Sequence, residues 1–549
     1  MPPRVLDLGS DQETHLICLI EPGDQHERYI ALSYPWGGTS FIKTVRDTLE
    51  RHKQGIRFDD LPRTFQDAIR ICRFLGVRYL WIDALCIIQD DTDDWKEHSR
   101  SMGEIYRQSF LTISAVFNTS PHSGLFSEPQ VRRVGPVMVF KTQHPFDATK
   151  DEQISRGFPL LTRGWTFQER MLSARTLHFS QQEVLWDCMD TLTCQCGSFD
   201  PSRGISHLES LRNQTSDVFF RKRFLKMDEN DRVVSVTSDR GGTEILFGRY
   251  DLPAEEFITS TKEFSELWCQ IASRFSALEL TYKSDKLAAI AGLADKIEQV
   301  TKWTYCVGLW ADTLLTDLCW IPGVRESSLQ TCQRLPWSTW WKEIPPFWDW
   351  NSIAHDDLPF IPPSWSWVSI DGPVWWPQER FSPSSDMQQD ILLATVLGSQ
   401  TQVFPETLDY SRPPIRSRYL ELNVQHISLF LEPQHRKRDV MLGKLRNFSD
   451  CKMAVVEEGY DLWDGVAAPV YLLPLVVTHT FDLDNPQKEG IANMFTLLVT
   501  GRAEGSHWLV RIGMVQTQNS VDKRGRLRFP RKSLAALALR GKQAIVTLI

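Results

Sequence analysis

The sequence contains no cluster of lysine or arginine, and its formal charge is −8, so it offers no electrostatic footprint for a nucleic-acid backbone. Its opening, MPPRVLDLGSDQETHL, lacks a charged segment followed by an apolar run and is not expected to act as a secretory signal. The longest apolar stretches, such as 79–88, fall far short of the roughly 20 residues that a spanning helix needs, so no membrane span is expected. No G-x-x-x-x-G-K-S/T loop, no G-x-G-x-x-G turn and no G-x-S-x-G elbow occurs. Those absences disfavour ATPase, dinucleotide-dehydrogenase and serine-nucleophile chemistry. Paired C-x2-C knuckles are missing as well. Cys188, Cys194 and Cys196 stand close together in CMDTLTCQC, but at a spacing unlike that of common zinc sites, and neither metal nor cofactor is expected. The eleven cysteines read as reduced thiols of a soluble, cytoplasmic protein.

What is present is an ordinary globular composition, 42% hydrophobic and 24% charged, in a chain of 549 residues that is too long for one domain. Tryptophan is abundant: there are twenty, several in tight sets such as Trp340 and Trp341, Trp365 and Trp367, and Trp375 and Trp376. Core packing is the commoner use of such residues, and an aromatic pocket the rarer one. Between about 29 and 120, strand and helix patterns alternate. YIALS is the first strand, and LPRTFQDAIRICRFLG has helical spacing with Gly76 placed to end it. The almost wholly apolar 77–82 is the second strand. A helix rich in aspartate at its start follows, then a third strand over 110–117, a βαβαβ unit with parallel strands. RGWTFQERMLSA reads as a further helix, with TLHFS and EVLWDC as strands behind it. A helical, Trp- and Pro-rich stretch over 201–380 and a β-rich module over 381–549, sandwich- or barrel-like, complete the expected organisation.

Three segments, YIALSYPWGG, the block from LPRTFQDAIRICRFLGVRYLWIDALC to YRQSFLTISA, and PLLTRGWTFQERMLSARTLHFS, together resemble the fungal heterokaryon incompatibility (HET) domain. The resemblance covers about the first 200 residues and continues more weakly through DKLAAIAGLA, YCVGLW and PSWSWVS. Pro35 departs from it, since the family more often carries another residue inside the SY-x-WG turn. The resemblance implies an α/β, TIR-like parallel-sheet domain acting in non-self recognition and regulated cell death, activated by self-association or a partner protein. Some TIR domains cleave the glycosidic bond of NAD, which implies NAD as a substrate and an NAD glycohydrolase activity. A non-catalytic interaction module, or a biosynthetic enzyme using the fold on a small metabolite, are the other readings.

In open parallel sheets, ligands bind beyond the carboxyl ends of the strands. Ser33, Tyr34, Trp36, Gly37 and Gly38, the loop 83–90 and the end of the third strand are expected to meet there. Tyr34 and Trp36 read as an aromatic wall for a planar ring, with Gly37 and Gly38 admitting a ligand to the backbone; Trp36 reads equally as a plug against RGWTFQE. Asp83, where a buried strand meets its loop, is a candidate catalytic carboxylate or else one committed to neighbouring donors. Glu97 is the catalytic candidate that the TIR comparison singles out. Its rival reading is a capping box with Asp94 at the N-cap. Trp165, Gln168 and Glu169 share a helix face, as a polar seam or part of a pocket, and Arg163 is positioned to pair with an acid or bind phosphate.

Overall fold

All five side chains of the strand Tyr29–Ser33 are buried, which a strand achieves only where its sheet is covered on both faces. In the computed structural model this strand (β3) lies inside a sheet of the first of two units, which comprises Met1–Ser238, Glu244–Ile258 and Ala288–Val300. The structure describes residues 1–9, 16–126, 131–134, 137–140, 158–181, 183–188, 192–195, 261–322, 363 and 365–376, and isolated strands at 234–235, 256–257, 324–325, 330–331, 333–334, 389–392, 394–396, 420–433, 441–445, 452–456, 468–480, 492–502, 509–520 and 542–548. Trp340, Trp341 and Cys196 lie outside the described residues.

The sheet also contains β1 (Val5–Asp7), β2 (Leu16–Ile20), β4 (Ile56–Arg57), β5 (Tyr79–Trp81) and β6 (Leu111–Ser114). After a separate hairpin of β7 (Val131–Val134) and β8 (Val137–Phe140), it is completed by β9 (Arg175–Phe179), β10 (Val184–Cys188) and β11 (Leu192–Cys194). The order is β11-β10-β9-β6-β3-β5-β1-β2-β4. β5, β3, β6 and β9 run parallel, the α/β arrangement that the alternation of strand and helix implies. The flanks differ from that expectation: β1, β2 and β4 on one side and β10 and β11 on the other are antiparallel. Strands as short as β4 carry no periodic signal, so the sequence pattern does not expose them.

Helices α1 (Arg46–Gln54), α2 (Arg63–Phe74), α3 (Asp83–Cys86), α4 (Thr92–Gln108) and α5 (Gly164–Leu172) belong to this unit. α2 ends as its sequence dictates. Gly76 takes φ +68°, its N–H donates to Arg73 O, and the Val77 N–H reaches Cys72 O, a Schellman closure that satisfies two orphan carbonyls. The start of α4 departs from the D-x-x-E reading. Asp91 is the N-cap, accepting from the Asp93 and Asp94 amides at 3.1 and 3.2 Å, and Asp94 at N3 turns inward to pair with Arg4 and to accept from Ile88 N at 2.7 Å. Arg4 also donates to Cys86 O at 2.8 Å, which ties the first strand to α3 and α4.

In the second unit, comprising Asp239–Thr243, Thr259–Leu287 and Thr301–Ile549, α6 (Thr261–Ser276) packs in a tryptophan-rich core. Trp268, Trp310, Trp320, Trp365 and Trp367 are fully buried. The carbonyl of Gly308 accepts both the Trp268 and Trp367 indole N–H groups, at 2.8 and 2.6 Å. These indoles pack as core, the commoner of the two uses weighed for them. Strands 420–433, 441–445, 452–456, 468–480, 492–502 and 509–520 pair antiparallel in a circuit that closes through 420–433 and 468–480, a barrel-like module. No helix among the described residues is long and apolar enough to cross a membrane.

A final helix, α7 (Ala288–Thr301), contributes Ala288–Val300 to the first unit. It meets α4 backbone to backbone: a Cβ built on Gly103 would lie 2.9 Å from the Gly292 Cα and 3.0 Å from Leu172 Cδ1. Helices approach this closely only where neither carries a side chain, and backbone cannot yield to an added methyl. Gly103→Ala is therefore expected to destabilise by about 1–2 kcal/mol, overpacking outweighing the gain of up to ~1 kcal/mol in helix propensity. Gly38→Ala, which meets nothing within 4 Å, is expected to stay within about 0.5 kcal/mol of the parent. Denaturant unfolding of the two variants checks the contrast.

Candidate functional site

The carboxyl ends of β3 and β5 release Ser33 and Asp83 side by side, because the strands pair in register as parallel neighbours from Tyr29 with Tyr79 to Ala31 with Trp81. α5 lays Glu169 and Arg163 over the same edge. Arg163 Nη1 donates to Tyr34 O at 3.3 Å. The Glu169 carboxylate lies beside Ser33, Tyr106 and Asp83. The loop after β6 closes the edge: Gly37, at φ +63°, passes so near it that a Cβ there would stand 2.7 Å from Thr119 O. A residue with a side chain would be doubly penalised at that position.

Asp83 is held by specific donors. Trp36 Nε1 donates to its Oδ2 at 2.8 Å and the Ala84 amide to its Oδ1 at 2.6 Å. Burial raises its pKa from the usual carboxylate value, while Trp36, Tyr34, the Ala84 amide and Arg163 oppose the rise by favouring the charged form. Glu169 is raised further, to about 7. Burial is again the main cause, the Asp83 charge adds to it, and Ser33, Arg163 and Tyr106 oppose it. Two carboxyl groups that repel each other's charge in one partly desolvated place titrate as a pair, and near neutral pH the second proton is only partly lost. Asp83, with the indole and amide donors, is the one arranged to be the anion, and Glu169 holds the exchangeable proton.

The aromatic residues of the turn do not present open faces. Tyr34 is buried, edge-on to Phe65 and Phe41 at 4.9 and 6.3 Å between centroids. Its hydroxyl faces Asp83, and burial pushes its pKa well up. Trp36 is half-buried, with Lys43 Nζ 4.3 Å from its ring centroid and Phe41 against its edge. Its indole N–H is given to Asp83, and its ring packs against the core of the unit. Trp165, half-buried one turn ahead of Glu169, meets Trp95 edge to face at 6.4 Å. Gly38 is exposed with open space around it.

The structure thus brings together Ser33, Tyr34, Trp36, Asp83, Arg163 and Glu169, with Gly37 and Gly38 at the rim and Trp165 beside them. Glu97 is placed elsewhere, on the exposed side of α4 and one turn beyond Asp94. Gln168 turns away from the acids, accepting from the Gly292 amide at 2.6 Å; its helix therefore splits its polar pair between a seam and the site. Two participants escaped the sequence reading. Tyr106 looks like one more member of an apolar stripe, and its hydroxyl was the only sign of a polar task. Lys43 carries no local pattern at all.

Asp83, at the end of a parallel strand, and Glu169, on the helix laid over it, meet at the edge where open α/β sheets take up ligands. Residues 29–169 match the family model described as heterokaryon incompatibility protein (HET), so over that segment the chain is similar to the HET domain. The match begins on the first residue of β3 and ends on Glu169. No curated protein and no solved structure matches the chain.

The raised pKa of Glu169 fixes a pH dependence. A proton held more tightly in the folded state stabilises it fully below the unfolded carboxylate value of 4.5, and that contribution is lost as the pH rises through about 7. Glu169→Gln is expected to remove this loss, gaining about 3 kcal/mol over the parent at pH 8 and little at pH 4.5. Thermal midpoints of parent and variant across that range check it; parallel curves would show that Glu169 ionises without strain.

Proposed function

We propose that the chain acts in fungal non-self recognition and regulated cell death, and that its first unit does so by hydrolysing the N-glycosidic bond of a nicotinamide dinucleotide. The observation that carries this reading is the Asp83 and Glu169 pair: two carboxyl groups of unequal proton affinity at one strand edge, as glycosidic hydrolysis requires. As the bond between ribose C1′ and the ring nitrogen breaks, its electron pair leaves with nicotinamide and positive charge develops on the sugar. The Asp83 anion stabilises that charge. Water adds to C1′, and its proton passes to Glu169 in its ionised fraction, giving ADP-ribose, nicotinamide and a proton. Ser33 and Arg163 orient polar groups of the substrate at the same edge, and Trp36 keeps Asp83 aimed. Glu97, exposed one helix face away, is outside this scheme.

Purified full-length protein incubated with NAD is expected to release nicotinamide, measured by chromatography. Asp83→Asn and Glu169→Gln are each expected to lower the rate by about 100-fold or more, within the range for removal of an acid–base or electrostatic group. Glu97→Gln should stay within about threefold. If the parent releases no nicotinamide, alone or self-associated, or if Glu97→Gln is the variant that abolishes release, the assignment is wrong and the site serves as a non-catalytic binding surface.

A further inference from the structure

Trp95 is the large aromatic that the acid cluster leaves unexplained. It is 38% exposed near the start of α4, where an indole has no packing reason to face water. Its partner explains the position. Trp165, from the first turn of α5, stands with its ring nearly perpendicular to that of Trp95, at 86°. Trp165 lies one helical turn from Glu169 and next but one to Arg163, so the pair borders the acid cluster. The edge-to-face contact holds the Trp95 ring by one rim. Tyr34 is enclosed by Phe41 and Phe65, and Trp36 is engaged by Asp83 and Lys43, so the two turn aromatics have no comparable face to give.

We infer that Trp95, braced by Trp165, is a stacking platform for a planar heteroaromatic ring of the ligand, a nucleobase or a nicotinamide-type ring, whose sugar then reaches the Asp83 and Glu169 carboxyls. For its choice of ligand this rests on the hydrolase reading above. The geometry supplies what ring recognition needs: a flat π-surface in water, held at one edge, a helical turn from the groups that act on the sugar. Stacking of this kind is indifferent to the exact ring, because every base has a π-face. Trp95 would therefore select for a planar ring, and the carboxyl pair for the glycosidic carbon.

The test uses the whole chain carrying Glu169→Gln, whose turnover is slowed about 100-fold or more, titrated calorimetrically with NAD and with ribose 5-phosphate as a probe that has no aromatic ring. Adding Trp95→Ala is expected to raise the Kd for NAD roughly tenfold or more and to leave that for ribose 5-phosphate unchanged. Trp95→Phe should restore most of the NAD affinity, and circular dichroism of all variants should be unaltered. NAD affinity insensitive to Trp95→Ala, or no NAD binding, overturns the platform. The two proposals part on turnover in the otherwise unaltered chain: nicotinamide release with a KM indifferent to Trp95→Ala sinks the platform alone, whereas NAD binding that depends on Trp95 without release sinks the hydrolase alone.

Discussion

The geometry of the first unit follows from the burial of one five-residue strand. β3 has parallel neighbours on both sides and covered faces above and below, so neither its register nor its facing can slip without driving apolar side chains into water. Ser33 and Tyr34 therefore leave the sheet at a fixed point. The same pairing sets where β5 releases Asp83. A turn that begins from so constrained a strand can place Trp36 within 2.8 Å of an aspartate 47 residues on, which a freer loop would do only at a cost in ordering entropy.

That rigidity matters because the site is built against stability. Asp83 and Glu169 are both partly withdrawn from water, and the Asp83 charge raises the proton affinity of Glu169; such groups persist only where the surroundings over-determine them. The opposing donors are distributed over separate elements: an indole from the turn, an amide from α3, a guanidinium before α5 and a phenol from α4. Donors and acids come from elements already fastened to one sheet, so the cluster costs little further order. The Arg4 and Asp94 pair is different in kind. Its carboxylate also accepts the Ile88 amide, its charge is answered at short range, and it serves the joining of β1 to α4.

Legibility in the sequence followed the range of the interactions. β3 could be read to its last residue, and α2 to its terminating glycine, because an unbroken apolar run and a residue free to take positive φ are local signals. The placing of Ser33 and Asp83 near one edge followed from strand polarity alone, whereas Glu169 showed only as one member of a helix face. What stayed hidden was decided at a distance. Four aspartates stand in DDTDD, all chemically fit to cap α4; Asp94 is taken from that role by Arg4, 90 residues earlier in the chain, and the cap falls to Asp91. The register of the helix moves with it, and Glu97 leaves the position from which a capping box would have held it. Tyr106 and Lys43 likewise acquire meaning only from Glu169 and Trp36.

The span that matches the HET family, 29–169, contains every member of the acid cluster but not everything that holds it. α7 stands more than a hundred residues beyond the end of the match, yet its Gly292 touches Gly103 of α4, and its amide is bonded to Gln168, the residue before Glu169. α4 carries Tyr106 and Trp95, and α5 carries Arg163 at its cap, Trp165 and Glu169. Both helices that frame the acids are thus fixed from outside the matched segment, by a contact that tolerates no added methyl. The segments on either side of α7 belong to the second unit. A displacement of α7 would first be felt as a loss of the Gln168 bond, and Glu169 is next in the chain. The support of the site therefore depends on a helix that the matched segment does not itself encode, and this helix is joined at both ends to the part of the chain that lies outside the domain.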